Sequence, residues 1–429
     1  MLLVPRSLSY IPLTSIQTTD GAFPGEIDNY ARMVKHVRLG TKVEKGVALE
    51  TLCHDTTPLF PNLQSVAVLM DGCAAPAVHL LLSPMLATAT IDIGVSTGRA
   101  TGVERSGNIA AYLSALRSSS IPIQKLNIRG FACEKLNRNV CGLSTLKSLS
   151  LKVGTSLSTT TVIDIANFPL LQELVIHADR VDADSLKESL ASSLSPVFQN
   201  LQTLDIRSSV EVAATIIEHI QSSSFTRFSI EVTEDEDTAW AHLYSVIPTT
   251  IQDIRIDHHI DQDEPTSDTV DTINYHPFSI KRLGALSRLA ALRALRLETN
   301  SPVDFVDEDV EELMKWWPAL RILDLAVSPY GECKEDGGRE AQMISWIPKL
   351  TVECLRSIAK GWPHLECLRL PIDLASGFKQ LRDFPIHVRL YELKVIPSLS
   401  VESCTPLIDG NTTLIRKLFP SIHDFSVFN

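Results

Sequence analysis

Several short stretches of the chain bring together side chains that could do chemistry. Gly94-Val95-Ser96-Thr97-Gly98 follows an apolar run ending at Ile93 and imitates the strand-to-turn elbow on which serine hydrolases hold their nucleophile. In that reading Ser96 attacks an ester, and an acid and then a histidine must follow in chain order, for example Asp324 and His364. The elbow also needs a helix directly behind the serine, whereas Thr97-Gly98-Arg99-Ala100-Thr101-Gly102 reads as loop. A serine esterase is therefore the competing enzymatic reading, and the chain is expected not to be an enzyme. Asp257-His258-His259-Ile260-Asp261-Gln262-Asp263-Glu264 concentrates metal-binding side chains, but such sites draw further carboxylates from separate strand ends and no partner motif accompanies it. It reads as a solvated acidic loop leaving a strand. Cys133 and Cys141 lie eight apart with no CxxC and no matching His pair, so no zinc site is expected. No glycine-rich loop ends in Lys-Ser or Lys-Thr, which argues against nucleotide hydrolysis. No catalytic, metal-binding or cofactor-binding residue, and no cofactor, is expected.

The remaining candidates are charged residues at a recurring position: Arg255, Arg293, Arg296, Arg321, Asp324, Arg369 and Lys394. Only a repeat can put residues so far apart on one surface. The segment aromatic-Pro-x-apolar, then two residues, an apolar residue, one residue and another apolar residue recurs down the chain. Its clearest copies are Phe60-Pro61-Asn62-Leu63 with Val66 and Val68, Phe168-Pro169-Leu170-Leu171 with Leu174 and Ile176, and Trp317-Pro318-Ala319-Leu320 with Leu323 and Leu325. Trp362-Pro363-His364-Leu365 with Leu368 and Leu370, and Phe419-Pro420-Ser421-Ile422 with Phe425 and Val427, complete the set. Weaker copies start at Val34, Leu86, Ile123, Leu146, Leu201, Phe225, Ile251, Leu292 and Leu390.

The spacing has a physical cause. Two apolar residues one position apart point to the same side of a strand, so one face of each short strand is buried. Proline cannot continue a helix and pushes its predecessor toward extended geometry, so each aromatic-Pro pair marks the end of a helix, and the aromatic plugs the core beside it. Between strands the spacing turns helical, as at Ile109, Leu113 and Leu116; Leu186, Leu190 and Leu194; Val212, Ile216, Ile217 and Ile220; and Val310, Leu313, Met314 and Trp317. Asp307 and Asp309 fall at the positive end of the last of these helices. Most copies start roughly 23 to 32 residues apart, near the leucine-rich period, and the longer steps before Ile123, Leu292 and Leu365 read as loop insertions. Residues 231–238, 257–277 and 328–338 read as polar loops. One unit cannot bury its own apolar face, so neighbours stack. The expected fold is α/β: a curved, right-handed leucine-rich-repeat solenoid with a parallel sheet on its concave face and helices on its convex face. Residues 1–28 form an N-terminal segment and 29–429 one irregular solenoid. On each strand the residue between the last two apolar positions points out of the core, and from Arg255 onward that row is largely basic. With Arg293 and Arg321 it is expected to form a positive stripe for a partner bearing carboxylate or phosphate groups.

Composition narrows the partners. The 429 residues are 44% hydrophobic, ample for a core, and the formal net charge of −12 disfavours general binding to nucleic acid or an anionic membrane. No apolar run reaches the roughly 18 to 20 residues of a membrane span. Pro5, Arg6 and Pro12 interrupt any leader-like apolar centre, and the eight cysteines show no paired spacing. A cytoplasmic or nuclear location is expected.

The phrases Trp317-Pro318-Ala319-Leu320-Arg321-Ile322-Leu323-Asp324-Leu325 and Gly361-Trp362-Pro363-His364-Leu365-Glu366-Cys367-Leu368-Arg369-Leu370, with the opening Asn29-Tyr30-Ala31-Arg32-Met33-Val34-Lys35-His36-Val37-Arg38-Leu39, resemble the leucine-rich regions of F-box proteins of mushroom-forming fungi. The resemblance implies a repeat arc that binds a protein substrate, and an F-box that hooks such a protein to the adaptor of a cullin-RING ubiquitin ligase. No F-box is evident in residues 1–28, which read as a remnant after a missing one, so the adaptor is expected as a partner only if an F-box lies upstream. The regular Asn ladder that follows the strand in uniform repeats is also missing, which implies irregular turns. The expected function is a non-enzymatic protein-interaction scaffold, the substrate-recognition arc of an F-box-like receptor; the alternative is a leucine-rich regulatory protein independent of ubiquitin.

Overall fold

The computed structural model describes residues 29, 31–39, 58–69, 81–94, 99–153, 157–193, 195–232, 237–258, 278–299, 303–327, 348–373, 385–396 and 413–427. They belong to two compact units, one of residues 1–201 with 220–222 and the other of residues 202–219 with 223–429.

In the first unit the strands are β1 (His36–Leu39), β2 (Ser65–Leu69), β3 (Thr88–Asp92), β4 (Lys125–Gly130), β5 (Ser148–Val153) and β6 (Glu173–His177), each parallel to the next. Helices α1 (Arg99–Ser118), α2 (Glu134–Cys141), α3 (Thr159–Ala166) and α4 (Ala183–Ala191) stand between or after them. In the second unit β7 (Thr203–Arg207), β8 (Arg227–Val232), β9 (Asp253–His258), β10 (Ala294–Thr299), β11 (Ile322–Val327), β12 (Cys367–Pro371), β13 (Glu392–Ile396) and β14 (Asp424–Val427) repeat the arrangement. Here the helices are α5 (Val210–Glu218), α6 (Asp237–Val246), α7 (Ile280–Leu283), α8 (Asp307–Trp316) and α9 (Glu353–Gly361). Parallel neighbours in strict chain order, joined by helices, make each unit an α/β leucine-rich-repeat solenoid.

The burial follows the repeat. Leu63, Val66, Val68, Leu149, Leu151, Leu174, Leu204, Ile206, Ile254, Ile256, Leu295, Leu323, Leu325, Leu368, Leu370 and Leu393 are all at most 1% exposed. Each such side chain contributes about 1.5–3 kcal/mol through removal from water, so the inward row is the main source of cohesion. The final copy is looser: Ile422 and Phe425, at the end of the described sheet, stay half-exposed.

The helices start where capping side chains stand. Ser158, Asp182 and Ser209 accept from the backbone N–H of Thr161, Ser185 and Val212. Asp309 turns back to the Val306 N–H at 2.9 Å, and Asp307 accepts from both the N–H and the hydroxyl of Thr351. Two of them end at aromatic-Pro pairs: α8 stops at Trp316, before Trp317-Pro318, and α9 at Gly361, before Trp362-Pro363.

One expectation needs correction. The long step before Ile123 is a helix, α1, of 20 residues, and it already includes Arg99–Gly102, where the sequence predicts loop. Gly102 and Gly107 lower intrinsic helix propensity there. Gly102 is nonetheless useful, because a Cβ on it would lie 3.0 Å from the Phe131 ring. Polar bonds between repeats stand instead in the turn before the strand. Ser83, Thr145 and Thr250 hydroxyls donate to the carbonyls of Pro61, Ile123 and Phe225, and the Asn62 and Asn200 amides to those of Arg32 and Pro169. Later in the chain aromatic residues take over this role. Trp317 Nε1 donates to the Leu286 carbonyl at 3.0 Å and Trp362 Nε1 to the Trp317 carbonyl at 2.9 Å. The His387 ring nitrogen Nε2 lies 2.7 Å from the Trp362 carbonyl, while Nδ1 accepts from the Leu390 N–H.

Candidate interaction face

On the open face of the second unit the strand register aligns three outward rows. The central row reads Asp205, Ser229, Arg255, Arg296, Asp324, Arg369, Lys394 and Ser426 across β7 to β14. Five of the seven predicted site residues therefore lie in line. The other two, Arg293 and Arg321, sit in the bends before β10 and β11, both exposed. Their backbones extend the ladder: Arg293 N–H donates to the Gln252 carbonyl, Arg321 N–H to that of Arg293, and Glu366 N–H to that of Arg321.

Parallel neighbours are about 4.8 Å apart, which sets Arg255 beside Arg296 and Arg369 beside Lys394, an unfavourable pairing if left alone. Carboxylates in the flanking rows resolve it. Arg255 Nε donates to Asp257 at 2.9 Å with Glu298 at 3.7 Å, whereas Arg296 reaches the opposite row, to Asp253 at 2.7 Å. The two guanidinium groups thus turn apart. Lys394 pairs with Glu392 at 2.6 Å, Arg321 with Glu366 at 3.5 Å and Arg369 with Asp324 at 3.9 Å. The hydrogen bond from Lys394 holds the Glu392 carboxyl below its usual range, and Glu392 in turn raises the Lys394 ammonium. Asp324 moves the other way. Burial pushes its carboxyl up more than Arg369 and Arg296 pull it down, which fits a pair as loose as 3.9 Å.

The row is accordingly an ion-pair lattice and not a bare positive stripe. The position between the last two apolar residues, with Arg293 and Arg321 before it, carries mostly the basic members of this lattice. The acids stand one strand period earlier or later, at Asp253, Asp257, Glu298 and Glu392, where the same alternation also points outward.

The other candidates do not assemble. Ser96 lies outside the described residues. Asp324 faces Arg369 on the open sheet, and His364 Nδ1 lies 3.0 Å from Arg389 Nη1 in the turn before β12. Asp257 and His258 occupy opposite faces of β9: Asp257 meets Arg255, while His258 is fully buried with its ring against Trp240. Residues 259–264 lie outside the described residues, and among the described residues no group of three His, Cys, Asp or Glu could hold a metal ion. Cys133 and Cys141 bracket α2, one at its N-cap and one at its last residue. No helix among the described residues is long and apolar enough to cross a membrane.

No protein-family description matches the chain, and no curated protein matches it. Solved structures do resemble it. The leucine-rich repeat-containing protein LegL7 from Legionella pneumophila is 14% identical over 70% of this chain and 94% of its own, with a TM-score of 0.38. Rad7, in the Rad7–Elc1 complex of yeast, is 11% identical over 96% of this chain and 84% of the matched chain, with a TM-score of 0.44. A chain of the TLR13–ssRNA13 complex is 11% identical over 85% of this chain and 62% of its own, with a TM-score of 0.28. Likenesses this remote leave function to the chain's own residues, and the fold rests on the strand order and register above.

Proposed function

We propose that this chain is a non-enzymatic protein-interaction scaffold, the substrate-recognition arc of an F-box-like ubiquitin-ligase receptor working in the cytoplasm or nucleus. The observation that carries the reading is the lattice of half-exposed ion pairs on the open face of the second unit. Exposed pairs of this kind contribute only about 0–1 kcal/mol each to stability, so folding alone gives little reason for so many long charged side chains in register. A protein partner can exchange them: its carboxylates compete for Arg255, Arg296, Arg369 and Lys394, its cations for Asp253 and Asp324, and Arg293 and Arg321 widen the contact. The ubiquitin-ligase part of the proposal draws on the resemblance of the Trp317–Leu325 and Gly361–Leu370 phrases to fungal F-box proteins.

The test is affinity purification of the tagged full-length protein from its source organism, beside an Arg255→Glu/Arg369→Glu variant. The proposal expects a defined protein lost from the variant and the ligase adaptor present in the complex. A partner without the adaptor would replace it by the ubiquitin-independent regulator. Partners unaffected by the two reversals would remove this face from the argument.

A further inference from the structure

The open face of the first unit carries a second charged surface, with a different character. On β4, Lys125, Asn127 and Arg129 point away from the core while Leu126 and Ile128 are fully buried. On β5, Ser148, Ser150 and Lys152 do the same. The register sets Lys125 against Ser148, Asn127 against Ser150 and Arg129 against Lys152. Lys147, in the bend before β5, is exposed as well, and so are Lys125, Arg129 and Lys152.

Like charges directly opposite on neighbouring strands repel. In the second unit Arg255, Arg296, Arg369 and Lys394 have each turned to a carboxylate; here, among the described residues, none of the four cations has an ion-pair partner. Two acids stand near and both are engaged elsewhere. Asp92, opposite Arg129 on β3, accepts from the Gly94 N–H at 2.9 Å, and Glu173, on β6, accepts from the Ser148 hydroxyl at 2.9 Å. Four cations thus surround a floor of small neutral polar groups, Asn127, Ser148 and Ser150, and among the described residues none of the four is held in an ion pair.

We propose that this β4–β5 surface binds an extended acidic peptide segment whose carboxylates sit between Lys125 and Lys147 at one end and Arg129 and Lys152 at the other. Lys125 and Arg129 are four residues apart on one strand, about 13 Å, the reach of two acidic residues four apart in an extended partner. The low floor admits the partner's backbone, to which Asn127 and the serines offer hydrogen bonds. A peptide fits better than RNA because no Phe, Tyr or Trp stands on the outward positions of β3 to β6 to stack a base, and the chain as a whole is acidic. The assignment rests on reading the chain as an interaction scaffold, and adds a separate acidic contact on the first unit.

The test is fluorescence anisotropy of a fluorescein-labelled decapeptide alternating Glu and Ser, titrated with full-length protein at low and raised salt. The Lys125→Ser/Arg129→Ser/Lys152→Ser variant should weaken binding about tenfold or more, equivalent to about 1.4 kcal/mol. Lys125→Arg/Lys152→Arg should stay within about twofold, since the charge is kept. Reversing Arg255 and Arg369 in the second unit should leave the titration unchanged. Absence of binding at low salt, equal binding by the triple Ser variant, or tighter binding of an oligouridylate of the same length would overturn the proposal. A native partner that co-purifies equally with the parent and the triple Ser variant would refute this surface while leaving the scaffold reading intact.

Discussion

Trp362 joins consecutive repeats in two ways, by volume and by a hydrogen bond, and substitution can separate them. The residue caps α9, is wholly buried, and donates its indole N–H to the Trp317 carbonyl at 2.9 Å. That carbonyl also accepts from the Leu320 N–H at 3.1 Å, so losing the indole leaves it with one bond and not stranded. Trp362→Phe, which keeps most of the ring's bulk, should therefore cost about 1–2 kcal/mol, the net value of one buried bond plus a small void. Trp362→Ala empties the site and should cost about 3–5 kcal/mol, a large share of the 5–15 kcal/mol typical of a whole domain. Urea unfolding followed by circular dichroism gives both numbers. Because each repeat touches mainly its neighbours, hydrogen exchange should quicken first in β11, β12 and β13. Equal costs for Phe and Ala would show that the bond outweighs the volume. Acceleration spread evenly over both units would refute the nearest-neighbour reasoning.

Alkaline pH should destabilise the fold through its thiols. Burial, aided by Glu392, pushes the Cys367 thiol up to about 12; burial, aided by Asp164, does the same for Cys141; and burial, aided by Asp307 and Glu353, raises Cys354 as well. Above about pH 9 the unfolded chain sheds these protons and the folded one keeps them, so stability falls as pH rises from about 9 toward 12. The urea midpoint should drop across that window, less steeply in Cys354→Ala; an unchanged slope would count against it. Gly130 closes β4 with φ of +110°, and a Cβ there would lie 2.7 Å from the Gly94 carbonyl, so Gly130→Ala should cost about 1–3 kcal/mol, measured by thermal melting, and a neutral result would mean that the turn relaxes. A fluorophosphonate probe should leave the protein unlabelled; labelling that Ser96→Ala abolishes would restore the esterase.

The inward row was legible because its period is set by elementary geometry: Leu323 and Leu325, or Ile254 and Ile256, can share a buried face only on a strand. What the sequence hid depends on register between residues distant in the chain. Nothing local to Trp317 reveals that its indole meets a carbonyl 31 residues earlier, or that Arg296 reaches Asp253 across 43 residues. The candidate face was legible only in its central row and in Arg293 and Arg321 for the same reason. A strand of five or six residues offers up to three outward positions, and the middle one alone made the second unit look basic while hiding Asp253 and Glu298. It had the opposite effect on the first unit, where the middle residues are the neutral Asn127 and Ser150 and the charge lies at Lys125, Arg129 and Lys152. Electrostatics on a repeat sheet belongs to the two-dimensional lattice of strand position against strand order. By that measure the neutral-looking strands hold cations with no ion pair among the described residues, and on the basic-looking ones Arg255, Arg296, Arg369 and Lys394 have turned to carboxylates.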